Sequence, residues 1–409
     1  MFLVTLIPLP IADPVYAFAV LLIILLVAPL MAKALRVPPL ILLILLGCLL
    51  GLNGLGILAR DPQLIFLEKV GLLYIMLLAG IQMDLSNLQR LGMRSLLFGL
   101  LTFGIPFMIG GLCGYGMIQT GMITIPGSLS IWLAMGLLGI LFSPHTLIAY
   151  PSMIRLGIAQ QEAVGVAVGG TVVTSVLTLV LLSVIQASVM GEVSLWLWLK
   201  LLVGLPLVVG LMFAGMPRLG QLLLGAKTST PLNLQFVFVL MTLFVTAAFT
   251  QLLGLDAIVG AFIAGLALNR FIPVSSDLMN RIEFVGNSLF IPAFMVSVGV
   301  LANPKIFVTA PQSMGVAAVI ILGAVAAKFM GAWLASQAFH YSGLEMITLF
   351  SLTVPRAALV LVIVLFGKQA NLVDDNVFNA VIAYIVVTCI CGPALSEIFG
   401  QRLAQAKTG

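Results

Sequence analysis

Apolar residues run through this chain in long blocks, each closed by a polar, glycine or proline break. A bilayer-spanning helix needs about 20 such residues. The blocks predict thirteen spans, near residues 15–35, 40–57, 66–84, 95–117, 129–153, 162–187, 196–216, 234–254, 256–269, 283–302, 313–338, 344–366 and 376–399. The eighth and ninth nearly touch at Gly254. The longest connections, near 118–128 and 217–233, are too short to fold alone, so no soluble regulatory domain is expected.

Composition narrows this to one class. Of the 409 residues, 62% are hydrophobic and 8% charged, against about 25% charged in soluble domains. The chain cannot clothe a water-facing surface, which excludes a soluble enzyme and a disordered chain. The 40 glycines and 20 prolines suit membrane helices. The net charge of +5 comes from scattered single residues, so no nucleic-acid partner is expected. Cys48, Cys113, Cys389 and Cys391 lie in apolar runs without metal-ligand spacing. No nucleophile–base set or phosphate loop is present, so the expectation is a non-enzyme without cofactors. No cleavable signal peptide is expected, because the first residues lack a basic segment and Pro8, Pro10 and Pro14 interrupt them.

Basic residues give the orientation. With thirteen spans, Lys33, Arg36, Arg90, Arg94, Arg155, Arg218, Lys227, Arg270, Arg281, Arg402 and Lys407 fall on one side, against Arg60, Lys69, Lys200, Lys305 and Lys368. The positive-inside rule then puts the N-terminus outside and the C-terminus in the cytoplasm.

Three features recur between the halves at near-constant offset. Gly80 opens Gly-x-x-x-Asp84 and Gly299 opens Gly-x-x-x-Asn303, 219 residues apart. Gly51 closes LGCLLG and Gly265 closes VGAFIAG, 214 apart. Pro144 in LFSPHT and Pro355 in LTVPRA each break a long apolar run near its middle, 211 apart. Six spans, a linker helix near 196–216 and six more spans give two copies of opposite topology. That is the pattern of a secondary transporter with inverted repeats, and paired breaks point to its substrate site. The expected fold is therefore an all-α membrane protein of about thirteen helices, in two inverted six-helix repeats whose broken helices cross near His145 and Pro355.

At these residues the chain resembles the monovalent cation:proton antiporter superfamily, the sodium or potassium/proton exchangers. EKVGLLYIMLLAGIQMDL (68–85) is similar to the family's glycine-leucine-phenylalanine-alanine-glycine helix, and LFSPHTLIAYPSMIRLG (141–157) to its first broken helix. VGAFIAGLAL (259–268) and IPAFMVSVGV (291–300) are close to family consensus. VAAKFMGAWLA (325–335) carries the core lysine, and TVPRAALVLVIV (353–364) the second broken helix with its proline-arginine pair. The resemblance implies a panel domain (helices within 15–84 and 234–302), a mobile core domain (helices within 95–187 and 313–399) and a homodimer.

One departure outweighs these matches. The family carries an aspartate, often paired, on its sixth span; here that segment is AVGGTVVTSVLTLVLL (167–182), and the positions fall on Thr174 and Ser175. The family's proline-arginine-glycine-glutamate run is Pro355-Arg356-Ala357-Ala358. All 13 carboxylates, Glu68 among them, are expected in loops or near span ends. Three ionisable groups remain deep in the spans: His145, Lys328 and Arg356. Intramembrane charge costs about 3 kcal/mol or more unless paired or wet, which marks each as a functional candidate. Lys328 lies roughly 15 Å from the nearer end, beyond a lysine's reach. His145 titrates near neutral pH when unperturbed. The candidate ion site comprises Ser143, His145, Thr146, Thr174, Ser175, Lys328, Thr353 and Arg356. Hydroxyls at Thr174 and Ser175 can ligate a transient monovalent cation but cannot carry a proton. Three functions stay open: a Na⁺ or K⁺/proton antiporter with altered coupling, a carrier or uncoupled path for a small anion, and a non-transporting sensor or scaffold.

Overall fold

The structure, a computed structural model, describes residues 9–35, 38–82, 85–125, 131–145, 149–189, 203–224, 230–253, 257–303, 305, 311–356 and 358–408. These are nearly all helical, with no strand among the described residues. In chain order the helices are α1 (Pro14–Leu35), α2 (Pro39–Leu50), α3 (Pro62–Ile81), α4 (Leu85–Gln119), α5 (Ile131–Phe142), α6 (Tyr150–Arg155), α7 (Glu162–Val189), α8 (Leu205–Leu224), α9 (Leu232–Leu252), α10 (Ala257–Leu268), α11 (Asp277–Leu301), α12 (Pro311–Phe339), α13 (Gly343–Thr353), α14 (Ala358–Gln369) and α15 (Asp375–Thr408). Eight are long and apolar enough to cross a membrane, nine if the bent pair within α8 counts as one span; five shorter apolar helices accompany them. The protein is an integral, multi-pass membrane protein.

Local chemistry explains where these helices depart from the expected bounds. α3 begins at Pro62 rather than near 66, because the Asp61 carboxylate accepts from the Leu64 amide at 2.7 Å and Pro62 needs no amide partner. α11 begins at Asp277 rather than near 283: the Ser276 hydroxyl accepts from the Met279 amide, and charged first turns hide the start from an apolar search. Within it, Gly286–Phe290 forms a π-helical turn. Ser342 and Glu345 start α13 with reciprocal side-chain and backbone hydrogen bonds. α8 continues past Met216 to Leu224, through residues expected as loop. Asp84 and residues 196–202 of the expected linker lie outside the described residues.

The chain divides into two compact units, each built from both halves of the sequence. The first comprises residues 1–83 and 186–301. Its helices pack α2 on α11, α3 on α10 and α11, and α9 on α10. The glycines singled out by spacing are the contact points. A Cβ on Gly265 would lie 2.9 Å from Gly80 Cα, and one on Gly51 would lie 2.8 Å from Val300 Cα. Small residues let helix backbones meet at this range, which is how membrane helices gain dispersion energy without a hydrophobic drive. Gly265→Val should therefore lower thermal stability in detergent by about 1–3 kcal/mol. Gly104→Ala, where a Cβ meets nothing within 4 Å, should leave it unchanged, as a thermal unfolding assay would read.

Glu68, expected in a loop or near a span end, is buried. It lies six residues inside α3 and is 3% exposed, the buried carboxylate among the described residues. Burial is tolerated because Arg60 donates to both its oxygens, at 2.9 and 2.7 Å, and the Ser297 hydroxyl donates at 2.5 Å. The spacing of Glu68 in the sequence gives no sign of these partners, which come from a loop and from α11.

The second unit comprises residues 84–185 and 302–409. α4 packs on α5 and α12, and α15 on α12, α13 and α6. At one end the Glu162 carboxylate accepts from Arg94 and from the Tyr341 phenol, the latter at 2.7 Å. Burial, reinforced by Glu162, raises the Tyr341 phenol above its ordinary value, so it remains a donor.

Candidate functional site

Both proline-bearing runs are broken helices within the second unit. α5 stops at Phe142, leaving Ser143, Pro144 and His145 non-helical before α6. α13 stops at Thr353, leaving Val354, Pro355 and Arg356 non-helical before α14. Proline removes an amide donor and clashes with the preceding turn, so each break frees carbonyls that lipid cannot satisfy. A helix C-terminus also carries partial negative charge. Two buried cations meet those needs.

Arg356 joins the two breaks. Its Nη1 donates to the Thr353 carbonyl at 2.7 Å and its Nη2 to the Phe142 carbonyl at 3.4 Å, the last residues of α13 and α5. Its Nε donates to the Tyr384 hydroxyl at 2.5 Å, from α15. The Cys389 thiol donates back to the Arg356 carbonyl. The guanidinium is thus held by two helix ends and one phenol.

Lys328, on α12, is fully buried. Its Nζ donates to the Thr102 carbonyl at 2.6 Å and to the Ser143 carbonyl, and stands 3.4 Å from His145 Nδ1. An ammonium has three donors and no acceptor; two carbonyls accept from this one, and a ring nitrogen of His145 stands third, its role set by the tautomer. On the other face of the imidazole, Nε2 lies 2.8 Å from the Thr171 hydroxyl of α7. Among the described residues of this unit there is no buried carboxylate.

The hydroxyls expected at the site share one habit. Thr174 donates to the Thr171 carbonyl at 3.0 Å, Thr353 to the Phe350 carbonyl at 2.7 Å, and Ser143 to the Phe103 and Gly139 carbonyls at 3.1 Å each. Each spends its proton on a backbone carbonyl and keeps its oxygen lone pairs. Thr174 is fully buried; Ser175 is half-buried, four residues past Thr171. Thr146 lies outside the described residues.

His145, Lys328, Ser143, Thr353 and Arg356 are therefore brought together at the breaks. Thr171, Thr102, Tyr384 and Cys389 were not foreseen. Thr171 precedes Thr174 and Ser175 by one turn on the same helix face, a spacing that the sequence does display. Thr102 acts through its carbonyl, which no side-chain pattern reveals.

Comparisons with known proteins agree with this architecture. The family described as "Sodium/hydrogen exchanger, transmembrane" matches residues 21–399. The Na(+)/H(+) antiporter NhaS5 of Synechocystis sp. is 33% identical over 404 residues, covering 97% of this chain and 56% of that protein. The chain thus spans little more than half of that relative. A probable Na(+)/H(+) antiporter 3 of Methanocaldococcus jannaschii is 26% identical, over 92% of this chain and 94% of the relative. In three dimensions the chain is similar to the sodium proton antiporter MjNhaP1 of Methanocaldococcus jannaschii, with a TM-score of 0.67 at 15% identity over 95% of this chain and 99% of that one. On the family match across nearly its whole length, the chain belongs to the sodium/hydrogen exchanger family of transmembrane cation/proton antiporters.

Proposed function

We propose that this chain exchanges a monovalent cation, Na⁺ or K⁺, for protons, with Lys328 carrying the proton in place of the missing aspartate. The observation that carries this reading is the pair of backbone carbonyls that accept from Lys328 Nζ, with a His145 ring nitrogen 3.4 Å away. Protonated, the ammonium occupies the Thr102 and Ser143 carbonyls and faces His145 Nδ1. Once the proton leaves, the positive charge goes with it, and the amine retains two donors. The carbonyl oxygens of the broken helix, together with hydroxyl oxygens at Thr174 and Ser175, are then hard ligands of the kind alkali cations take. Proton and cation cannot occupy these oxygens together, so binding one expels the other. Arg356 keeps its charge throughout, bound to the two helix ends.

The finer architecture belongs to the same proposal. Thirteen spans result if α5 with α6, and α13 with α14, each form one broken span. The recurring breaks and the recurring glycine contacts support two inverted repeats. The second unit is the transport core, the first is the panel, and the linker runs near 196–216 into α8. The N-terminus is outside and the C-terminus cytoplasmic. The family likeness supports a homodimer in the lipid bilayer.

A second reading has one observation behind it: both buried cations lack a carboxylate, as in a site for a small anion. Against it, backbone carbonyls already balance both charges. Purified protein in proteoliposomes, loaded with an internal pH dye, separates the two. Na⁺ or K⁺ gradients should drive lumenal pH changes. Cl⁻ or HCO₃⁻ flux without any cation-driven pH change would overturn the cation reading.

A further inference from the structure

The Thr171 hydroxyl lies between a backbone carbonyl and an imidazole nitrogen. Its Oγ1 is 2.8 Å from the Ala167 carbonyl, one turn back on α7, and 2.8 Å from His145 Nε2. A hydroxyl has one proton to give. While it donates to Ala167, its lone pairs face the imidazole, and Nε2 must be the protonated nitrogen. The neutral ring then leaves Nδ1 bare, facing the Lys328 ammonium at 3.4 Å. If the hydroxyl turned to Nε2, the proton would have to sit on Nδ1, opposing the ammonium donor.

We propose that Thr171 is the positioning residue that sets the tautomer of His145, and that the hydroxyl and imidazole form the route by which Lys328 exchanges its proton with water. The outward step balances as follows. The Lys328 Nζ–H bond breaks and an Nδ1–H bond forms. The Nε2–H bond breaks, and its proton passes to a water molecule at the half-buried Thr171. Lys328 ends as a neutral amine, His145 ends neutral with its proton on Nδ1, and the water carries the charge away. Thr171 then turns its hydroxyl from Ala167 to the bare Nε2. The inward step is the reverse. Rotation of one hydroxyl thus separates the two proton states, as a bistable element should.

The electrostatic surroundings suit a neutral relay. The charged groups near His145 are Lys328 from α12 and Arg356 from the break before α14. Among the described contacts, the Ser143 backbone lies against the imidazole, α4 contributes the Thr102 carbonyl and α7 the Thr171 hydroxyl, while Tyr384 of α15 faces Arg356. An imidazolium beside two cations would be repelled, whereas a ring that changes tautomer keeps its charge at zero.

This inference rests on Lys328 as the proton carrier, but its first test does not need transport. The chain has two histidines. His340 is exposed at positive φ, where asparagine is tolerated. In a His340→Asn background with ¹⁵N-labelled histidine, solid-state NMR of protein in liposomes reads the two ring nitrogens of His145 alone. We expect a protonated Nε2 and a bare Nδ1, retained in Thr171→Ser. In Thr171→Val, which keeps the shape and loses the hydroxyl, Nδ1–H should appear. The midpoint of the pH profile of cation-driven proton flux should also move by about half a unit or more in Thr171→Val, with the serine variant like the parent. A valine variant with the parent's tautomer, or with a changed tautomer and an unmoved profile, overturns the proposal. Absent flux in every variant alongside the expected tautomers would instead overturn the antiport reading and, with it, the relay.

Discussion

Lys328→Arg is expected to leave the protein folded and to reduce cation-driven proton movement by at least about a hundredfold, the scale on which a proton-transfer group contributes. Arginine keeps a positive charge and several donors for the Thr102 and Ser143 carbonyls, so the buried acceptors stay partnered. It does not release its proton in proteins. Charge and hydrogen bonding thus survive while the exchangeable proton is lost. Lys328→Met is the harsher change. It strands two buried carbonyls, each costing about 1–3 kcal/mol, and should lower the unfolding temperature as well as abolish exchange. Measuring proton flux and thermal unfolding on both variants separates the roles. An arginine variant that exchanges like the parent would remove Lys328 from the proton path.

Ser175→Asp should produce the largest gain. The residue sits half-buried, four positions past Thr171, whose hydroxyl touches His145. A carboxylate there returns to α7 the acid that the resemblance implies at this position, one turn from the Thr171 that touches His145, in a unit with two buried basic side chains and no buried carboxylate among its described residues. Cation/proton exchange should rise by about tenfold or more, the effect of about 1.4 kcal/mol of added cation affinity. If the protein instead carries an anion, the new carboxylate competes for the same cations. Cl⁻ or HCO₃⁻ flux would then vanish with no cation exchange gained, which would end the cation reading. Flux of all four ions, measured side by side, decides.

The glycines illustrate what spacing can and cannot give. Spacing alone marks Gly80 and Gly265, each resembling a glycine in the other half at a different offset. That they face each other, with backbones close enough to exclude a Cβ, follows only once α3 and α10 cross. Glu68 teaches the converse. Its place near a span end says nothing of its surroundings, and the Arg60 and Ser297 partners make its burial possible.

The sequence by itself determined the solvent, the class and the breaks. Lipid demands long apolar blocks and leaves no alternative for a chain 62% hydrophobic, and proline interrupts a helix wherever it falls inside one. The absence of the family's aspartate and the place of His145, Lys328 and Arg356 within apolar runs are equally legible, because they depend on position along the chain alone. The tertiary structure alone decided what those three groups hold. Lys328 binds carbonyls from α4 and from the first break, Arg356 joins the ends of α5 and α13, and His145 stands between Lys328 and Thr171. Backbone carbonyls are the same at every residue, so no sequence pattern marks which of them a break will free, or which distant side chain will reach them. That information resides in the packing of α4, α7, α12 and α15 around the two breaks.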